Sequence, residues 1–218
     1  MLHPWLRVLL FKRELLFIPN ASAIAASRLP EAERLVLRQR LLGGKRRLIV
    51  HFGFLYPFKG VELLFDIASP LSDRLIVIGR FEEGTEYQRQ VLARAEVGQW
   101  YGEAKFLGHL APADVSDILA VSDAVILPFR KGGGEWNTSI HSAVLNGARV
   151  VTTSVSRRGL DTETGVHYCP IDDVGALKQA LDAAPSWTNR SKGSAVDTDT
   201  WGQIAAQHLS IYRALRRR

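Results

Sequence analysis

The chain has 218 residues, of which 46% are hydrophobic and 23% charged, and this composition excludes disordered, collagen-like and fibrous proteins. The single cysteine, Cys169, excludes a disulfide framework and a metal site made of several thiolates. Lys and Arg number 28 against 22 Asp and Glu, so the net charge is +6 and anionic partners are favoured: phosphorylated small molecules, lipid headgroups or nucleic acid.

The N-terminal stretch, residues 1–18, is apolar but is interrupted by charged side chains, namely Arg7, Lys12, Arg13 and Glu14. Its uninterrupted apolar runs are too short for a transmembrane helix, which needs about 20 apolar residues, or for the core of a secretory leader. We therefore expect a cytoplasmic protein and leave peripheral contact with a membrane open.

Six short apolar runs follow along the chain, and each predicts a buried strand. The runs cover residues 48–52, 75–78, 105–107, 124–127, 150–152 and 166–169. Between them, apolar residues recur with the spacing of a helix. The predicted helices cover residues 61–68, 86–97, 112–119, 138–146 and 173–184.

Continuous apolar strands that alternate with helices are typical of a parallel sheet covered on both faces. The sequence therefore predicts a doubly wound, Rossmann-like α/β domain with about six strands over residues 47–185. Residues 1–46 are expected to form a lead-in and inter-domain linker. Residues 186–218 are expected to hold a second linker and a C-terminal helix over 201–218, with Thr200 as its N-cap.

Ligands of such sheets bind beyond the carboxyl ends of the strands, which here are followed by Gly53, Gly79, Gly108 and Pro128. Lys59 lies in the first of these loops, at the start of a helix. There its ammonium and the free amides of the helix can hold a phosphate. The alternative is a solvated lysine in a connecting loop.

The loop at 130–139 contains three consecutive glycines at 132–134, whose amides can approach a ligand closely. Thr138 or Ser139 then either caps the following helix or touches a phosphate. The alternative is a flexible surface loop with an ordinary N-cap. Neither loop contains the common dinucleotide or triphosphate fingerprint.

Other chemistry has less support. The histidines lack metal-ligand spacing, so we predict no metal site. The basic runs at 45–47 and 216–218 are typical of a solvated surface, although a binder of nucleic acid or of a membrane surface stays open. No aromatic residues are interleaved with these runs, and we expect no nucleic-acid partner.

Eight segments, in order along the chain, carry a resemblance to a known family. They are IPNAS at 18–22, FGFL at 52–55, PFKG at 57–60, VIG at 77–79, FLGHL at 106–110, SDAVILP at 122–128, NGARVV at 146–151 and the closing helix at 201–212. Together they resemble the C-terminal, nucleotide-sugar-binding half of GT-B-fold glycosyltransferases of group 1, family four.

The resemblance implies a glycosyltransferase that needs no cofactor, because the nucleotide diphosphate-sugar donor is itself a substrate. The sugar would pass to a hydroxyl acceptor, with retained configuration, in glycan or polysaccharide biosynthesis. Lys59 is implied to grip the diphosphate, and the segment 106–110 to lie against the base. Glu135 is the implied catalytic residue, holding a sugar hydroxyl. The implied donor-binding residues are Gly53, Phe54, Lys59, Gly79, Gly108, Leu110, Gly133, Gly134, Trp136, Asn137, Thr138, Ser139 and Ser142.

Three positions depart from the family pattern. Phe54 stands where the family usually has an arginine that contacts a phosphate. Gly134 and Ser142 stand where it has two glutamates, and Glu135, one position from the first, can take its place. A subgroup linked to polysaccharide synthesis also lacks these glutamates, and the loop at 128–139 resembles that of the subgroup.

The acceptor-binding N-terminal domain of the family would precede Ile18, where this sequence has 17 residues. The resemblance therefore implies a donor-binding half whose acceptor half comes from a separate domain or chain, or else a fragment. A non-catalytic interaction module stays open as the alternative.

Overall fold

A computed structural model describes residues 16–18, 20–184, 187 and 200–216. Most of the N-terminal stretch, for which the sequence predicts no leader and no membrane span, lies outside the described residues. Most of the second predicted linker and residues 217–218 of the basic run at 216–218 also lie outside them. Among the helices that are described, none has the length and apolar character needed to cross a bilayer.

Seven strands form a single sheet. They are β1 (Arg47–Phe52), β2 (Asp73–Ile78), β3 (Ala104–Gly108), β4 (Ala124–Leu127), β5 (Val150–Thr153), β6 (Gly159–Asp161) and β7 (Val166–Cys169). Their order is β3-β2-β1-β4-β5-β7-β6, and every pair is parallel except β6 with β7. The predicted doubly wound α/β fold is confirmed, with β6 as an additional edge strand that no apolar run announces.

Helices cover both faces of this sheet. They are α1 (Glu31–Leu42), α2 (Leu64–Ile67), α3 (Glu86–Ala95), α4 (Pro112–Val121), α5 (Thr138–Leu145), α6 (Val174–Asp182) and α7 (Thr200–Arg216). The predicted helix at 61–68 is a 3₁₀ turn, Val61–Leu63, followed by the short α2. Thr200, expected as an N-cap, is the first residue of α7. No helix was predicted before residue 47, whereas the structure has α1 there, at Glu31–Leu42.

The core forms two layers, because successive side chains of a strand point to opposite faces of the sheet. Ile49, Leu75 and Val77 pack on one face with side chains of α2, α3 and α6. Leu48 and Val50 pack on the other face with side chains of α4 and α5. All five are fully buried, and each such burial contributes about 1.5–3 kcal/mol.

A buried ion pair ties α1 to this core. Nη2 of Arg38 in α1 lies 2.7 Å from Oδ2 of Asp123, which precedes β4. The same carboxylate accepts from the Leu48 amide of β1 at 2.7 Å and from the Trp187 amide at 2.8 Å. One carboxylate therefore joins the lead-in helix, two central strands and the chain beyond α6.

We expect Asp123→Ala to lower the free energy of unfolding by about 3 kcal/mol, because it leaves the buried Arg38 guanidinium without its carboxylate. Urea denaturation followed by circular dichroism measures the change. The matched control is Asp114→Ala, which removes an exposed carboxylate of α4 and should cost under about 0.5 kcal/mol. Equal losses in the two variants would contradict the role assigned to the buried pair.

Candidate functional site

The carboxyl ends of the central strands open into one pocket of about 280 Å³. It lies where β1 and β4 are neighbours and the chain winds outward in opposite directions, which is the usual ligand position in doubly wound sheets. The pocket is lined by Ala23, Ile24, Phe52, Gly53, Phe54, Lys59, Ile78, Gly79, Arg80, Gly108, His109, Leu110, Pro112, Val115, Thr138 and Ser139.

Two glycine backbones in van der Waals contact shape the floor of this pocket. A Cβ placed on Gly79 would lie 1.8 Å from the carbonyl oxygen of Gly53, and Gly79 has φ +147°. The Gly53 amide donates to Ile78 at 3.0 Å, and the Gly79 amide donates to Gly108 at 2.8 Å. The loops after β1, β2 and β3 are thereby held together, which no side chain at Gly79 would allow.

Lys59 ends a 3₁₀ turn, Pro57–Lys59, that follows β1. Its Nζ lies 4.5 Å from the centre of the Phe129 ring, and a Cβ on Gly133 would lie 2.9 Å from an atom of that ring. Lys59 and the glycine loop therefore contact the same aromatic side chain. Burial lowers the pKa of Lys59 from its ordinary value, which marks a cation that has lost part of its hydration.

Ion pairs hold the segment that carries Lys59 against the loop after β4. Arg130 pairs with Glu62 at 2.5 Å and with Asp172 at 2.6 Å, and its amide donates to the Phe58 carbonyl at 2.9 Å. Exposed pairs of this kind contribute little to stability one by one. Their effect here is to join three loops at the carboxyl edge of the sheet.

His51 of β1 is fully buried near Lys59. Its Nδ1 donates to the Ile126 carbonyl at 2.9 Å, and its Nε2 is buried without a partner in the described chain. Burial, reinforced by the positive charge of Lys59, lowers the pKa of His51 to about 4. The imidazole is therefore neutral at physiological pH and adds no second charge beside Lys59.

Two amides of the glycine loop donate hydrogen bonds within the protein. The Gly133 amide donates to the Thr153 carbonyl at 2.6 Å, and the Gly134 amide donates to Oδ1 of Asn137 at 2.8 Å. Asn137 is the N-cap of α5, but its side chain makes no hydrogen bond to the helix. Gly133, Gly134 and Asn137 are absent from the pocket lining.

Thr138 and Ser139, in contrast, line the pocket as the first two residues of α5. The expectation that one of them caps the helix is wrong, because Asn137 holds the N-cap position. The first amides of a helix have no intrahelical acceptor, and the helix dipole makes this end positive. These amides are donors for a ligand at the edge of the pocket.

Three other predicted residues lie outside the pocket lining. The carboxylate of Glu135 pairs with Arg157. Trp136 is 58% exposed, and its carbonyl accepts from the side-chain amide of Asn20 at 2.8 Å. Ser142 is fully buried on α5. Its hydroxyl forms a hydrogen bond with that of Ser22, with 2.9 Å between the oxygens.

Gly53, Phe54, Gly79, Gly108 and Leu110, all expected at the donor site, line the pocket with Lys59. Phe54 is 66% exposed, and its ring stacks on that of Tyr56 with 5.8 Å between centroids. This aromatic face can contact a base or a sugar, but it donates nothing to a phosphate.

Three informative residues of the lining were not predicted from the sequence: Ala23, Ile24 and Arg80. Ala23 and Ile24 follow the segment 18–22, and only the tertiary fold brings that part of the chain over the sheet. Arg80 directly follows Gly79, which was singled out, so the position after this glycine was the available signal. His109, which also lines the pocket, belongs to the segment 106–110 that was expected there. The described residues include no group of three or more His, Cys, Asp or Glu that could hold a metal ion.

Comparison with known proteins gives the following. A family model described as "Glycosyl transferases group 1" matches residues 46–184. HepE from Anabaena, solved in complex with UDP and glucose, superposes with a TM-score of 0.68 and 19% identity over 85% of this chain and 53% of its own. Sucrose-phosphate synthase from Thermosynechococcus elongatus superposes with a TM-score of 0.71 and 15% identity over 93% of this chain and 52% of its own.

The C-terminal domain of LpcC, a glycosyl transferase group 1 family protein from Francisella tularensis, superposes with a TM-score of 0.58 and 14% identity, over 75% of this chain and 86% of that domain. This chain thus spans about half of HepE and of the synthase. No curated protein matches the sequence significantly.

We expect Gly79→Ala to lower the free energy of unfolding by about 3 kcal/mol or more, because left-handed strain adds to a clash with the Gly53 backbone. Gly84→Ala is the matched control, since Gly84 has φ +73° with open space around it and should cost only about 1–2 kcal/mol. Thermal and urea unfolding of both variants test the difference. Equal destabilisation would show that the contact between the two glycines does not constrain the fold.

Proposed function

The chain belongs to the group 1 glycosyl transferases, and from this membership and the pocket we propose that it is the donor-binding half of a sugar transferase. The reaction would move a glycosyl group from a nucleotide diphosphate-sugar to a hydroxyl acceptor, with retained anomeric configuration. We place it in glycan or polysaccharide assembly in the cytoplasm, and contact with a membrane surface stays open.

The charge of the pocket is the observation that carries this proposal. Among the described residues that line the pocket, Lys59 and Arg80 are cationic and none is acidic. The first amides of α5 add the positive end of a helix. A small, partly apolar hollow with convergent positive groups suits a base or sugar joined to an anionic diphosphate.

The proposed roles follow from the chemistry of the groups. Negative charge develops on the diphosphate as it leaves the sugar, so a fixed ammonium at Lys59 and amides at Thr138 and Ser139 would stabilise the transition state. Gly108 and Leu110 offer backbone and apolar contact to a base. Glu135, proposed to hold a sugar hydroxyl, pairs with Arg157 through Oε1, and a carboxylate in such a pair can still accept from a hydroxyl.

The acceptor half would come from another domain or a separate chain. This is supported by the share of HepE and of the synthase that the chain covers, which is about half. Aromatic side chains on α7 are exposed: Trp201 by 49% and Tyr212 by 59%. The two halves together would hold donor and acceptor side by side and make the transfer effectively unimolecular. We therefore expect the activity of this half alone to be low.

A binder of nucleic acid or of a membrane surface has less support. In the basic run 45–47, Lys45 pairs with Glu103 at 3.0 Å and Arg47 pairs with Asp73 at 2.7 Å. The charges of Lys45 and Arg47 are therefore paired with carboxylates of the same domain. The non-catalytic module is the other alternative, and sugar transfer by the chain with any acceptor partner would exclude it.

Calorimetric titration with UDP, GDP and ADP tests the donor site. We expect at least one of them to bind, and Lys59→Ala to weaken that binding about tenfold or more, because a charge-assisted contact to the diphosphate is lost. Lys178→Ala, which removes an exposed lysine of α6, is the control and should bind like the wild type. If none of the three binds at millimolar concentration, the proposal fails.

The pH dependence of binding gives an independent test of Lys59. Because burial lowers the pKa of Lys59, its positive charge is lost at a lower pH than that of an exposed lysine. Affinity for the diphosphate should therefore fall as the pH rises toward the ordinary lysine range, and Lys59→Arg should remove this fall. A profile that is the same in wild type and Lys59→Arg would contradict the role of the ammonium.

A further inference from the structure

Arg80 has a fixed position at the pocket. It directly follows Gly79 at the end of β2, and its carbonyl accepts from the Leu55 amide at 3.0 Å. A β-bridge between Leu55 and Phe81 continues this contact. The backbone of Arg80 is therefore held against the loop after β1, the same loop that carries Lys59.

The side chain of Arg80 differs from the arginines that build the scaffold. Arg47, Arg94 and Arg130 each form an ion pair with a carboxylate, at 2.7, 2.6 and 2.5 Å respectively. Within the described part of the chain, Arg80 is exposed and has no such ion pair. The pocket that it lines contains no carboxylate among its described lining residues. No carboxylate among the described residues therefore pairs with the guanidinium of Arg80.

We infer that Arg80 is a second diphosphate-binding cation, which acts with Lys59 on the phosphates of the nucleotide. This inference rests on the proposed function and adds a residue to its site. A diphosphate carries its negative charge on two neighbouring groups, and two separate cations on one pocket can meet both. The planar guanidinium of arginine donates in pairs to phosphate oxygens, which a lysine ammonium does not do.

The division of labour follows from the two environments. Lys59 is partly buried beside the Phe129 ring, so its position is restricted. Arg80 is exposed on a fixed backbone, so its long side chain can adjust to the ligand. Together they would favour a nucleoside diphosphate over a nucleoside, because the nucleoside offers neither cation a partner.

Calorimetry on the full chain tests the inference, with UDP, GDP, ADP, the matching nucleosides and inorganic pyrophosphate as probes. We expect Arg80→Ala to weaken the nucleoside diphosphate that binds, and pyrophosphate, about tenfold, and to leave the nucleoside unchanged. Arg80→Lys should recover part of the loss, because it keeps the charge but not the paired donors. Arg89→Ala removes an exposed arginine of α3 and should bind like the wild type.

The outcomes separate this inference from the proposed function. If the wild type binds a nucleoside diphosphate and Arg80→Ala binds it equally well, the role of Arg80 is overturned while the donor site stands. An equal loss for nucleoside and diphosphate would overturn it as well, since the contact would then not be to phosphate. Binding of pyrophosphate alone, weakened by Arg80→Ala, would support Arg80 and overturn the nucleotide-sugar proposal. No binding of any probe would overturn both.

Discussion

The contact between the backbones of Gly53 and Gly79 is the constraint on which the candidate site depends. Parallel pairing aligns the carboxyl ends of β1 and β2, and the absence of a side chain at Gly79 lets the two loops meet. This contact fixes the first residues of both loops, including Arg80, and the hydrogen bond from the Gly79 amide to Gly108 adds the end of β3 to the same pocket. The shape of the pocket therefore depends first on the backbone contact between these loops, and the polar side chains then determine its charge.

Charge in this domain is divided between scaffold and pocket. Arg38 and Arg47 are neutralised by carboxylates that also accept backbone or neighbouring side-chain hydrogens, so these charges hold elements together. Lys59 is partly buried at the pocket, and the histidine beside it is neutral. A positive potential in a small hollow attracts anions over a distance and holds them at the surface. This division leaves Lys59 and Arg80 as the cations of a pocket whose described lining has no carboxylate.

The glycine loop after β4 shows that amides expected to meet a ligand can have acceptors within the protein. Gly132 has φ +77°, and a Cβ on Gly133 would lie 2.9 Å from the Phe129 ring, so both positions favour glycine. The amides of Gly133 and Gly134 bind Thr153 and Asn137, so the loop is an internally bonded support. The residues of this region that line the pocket are Thr138 and Ser139, the first two residues of α5. The sequence predicted ligand contacts for amides of this loop, but which amides remain available depends on partners far away in the chain, such as Thr153.

The sequence alone determined the alternation of apolar strands and helices, the parallel α/β class, the loops that form the site, and the family resemblance. These follow from local periodicity and from short motifs, which the sequence displays directly. The tertiary structure decided the rest. The antiparallel edge strand β6, the helix α1, the wall made by Ala23 and Ile24, and the burial of Ser142 against Ser22 all depend on contacts between distant residues. The spacing of apolar residues indicates which face of a helix or strand is buried. The residues that pack against that face are distant in the sequence and are brought together only by folding.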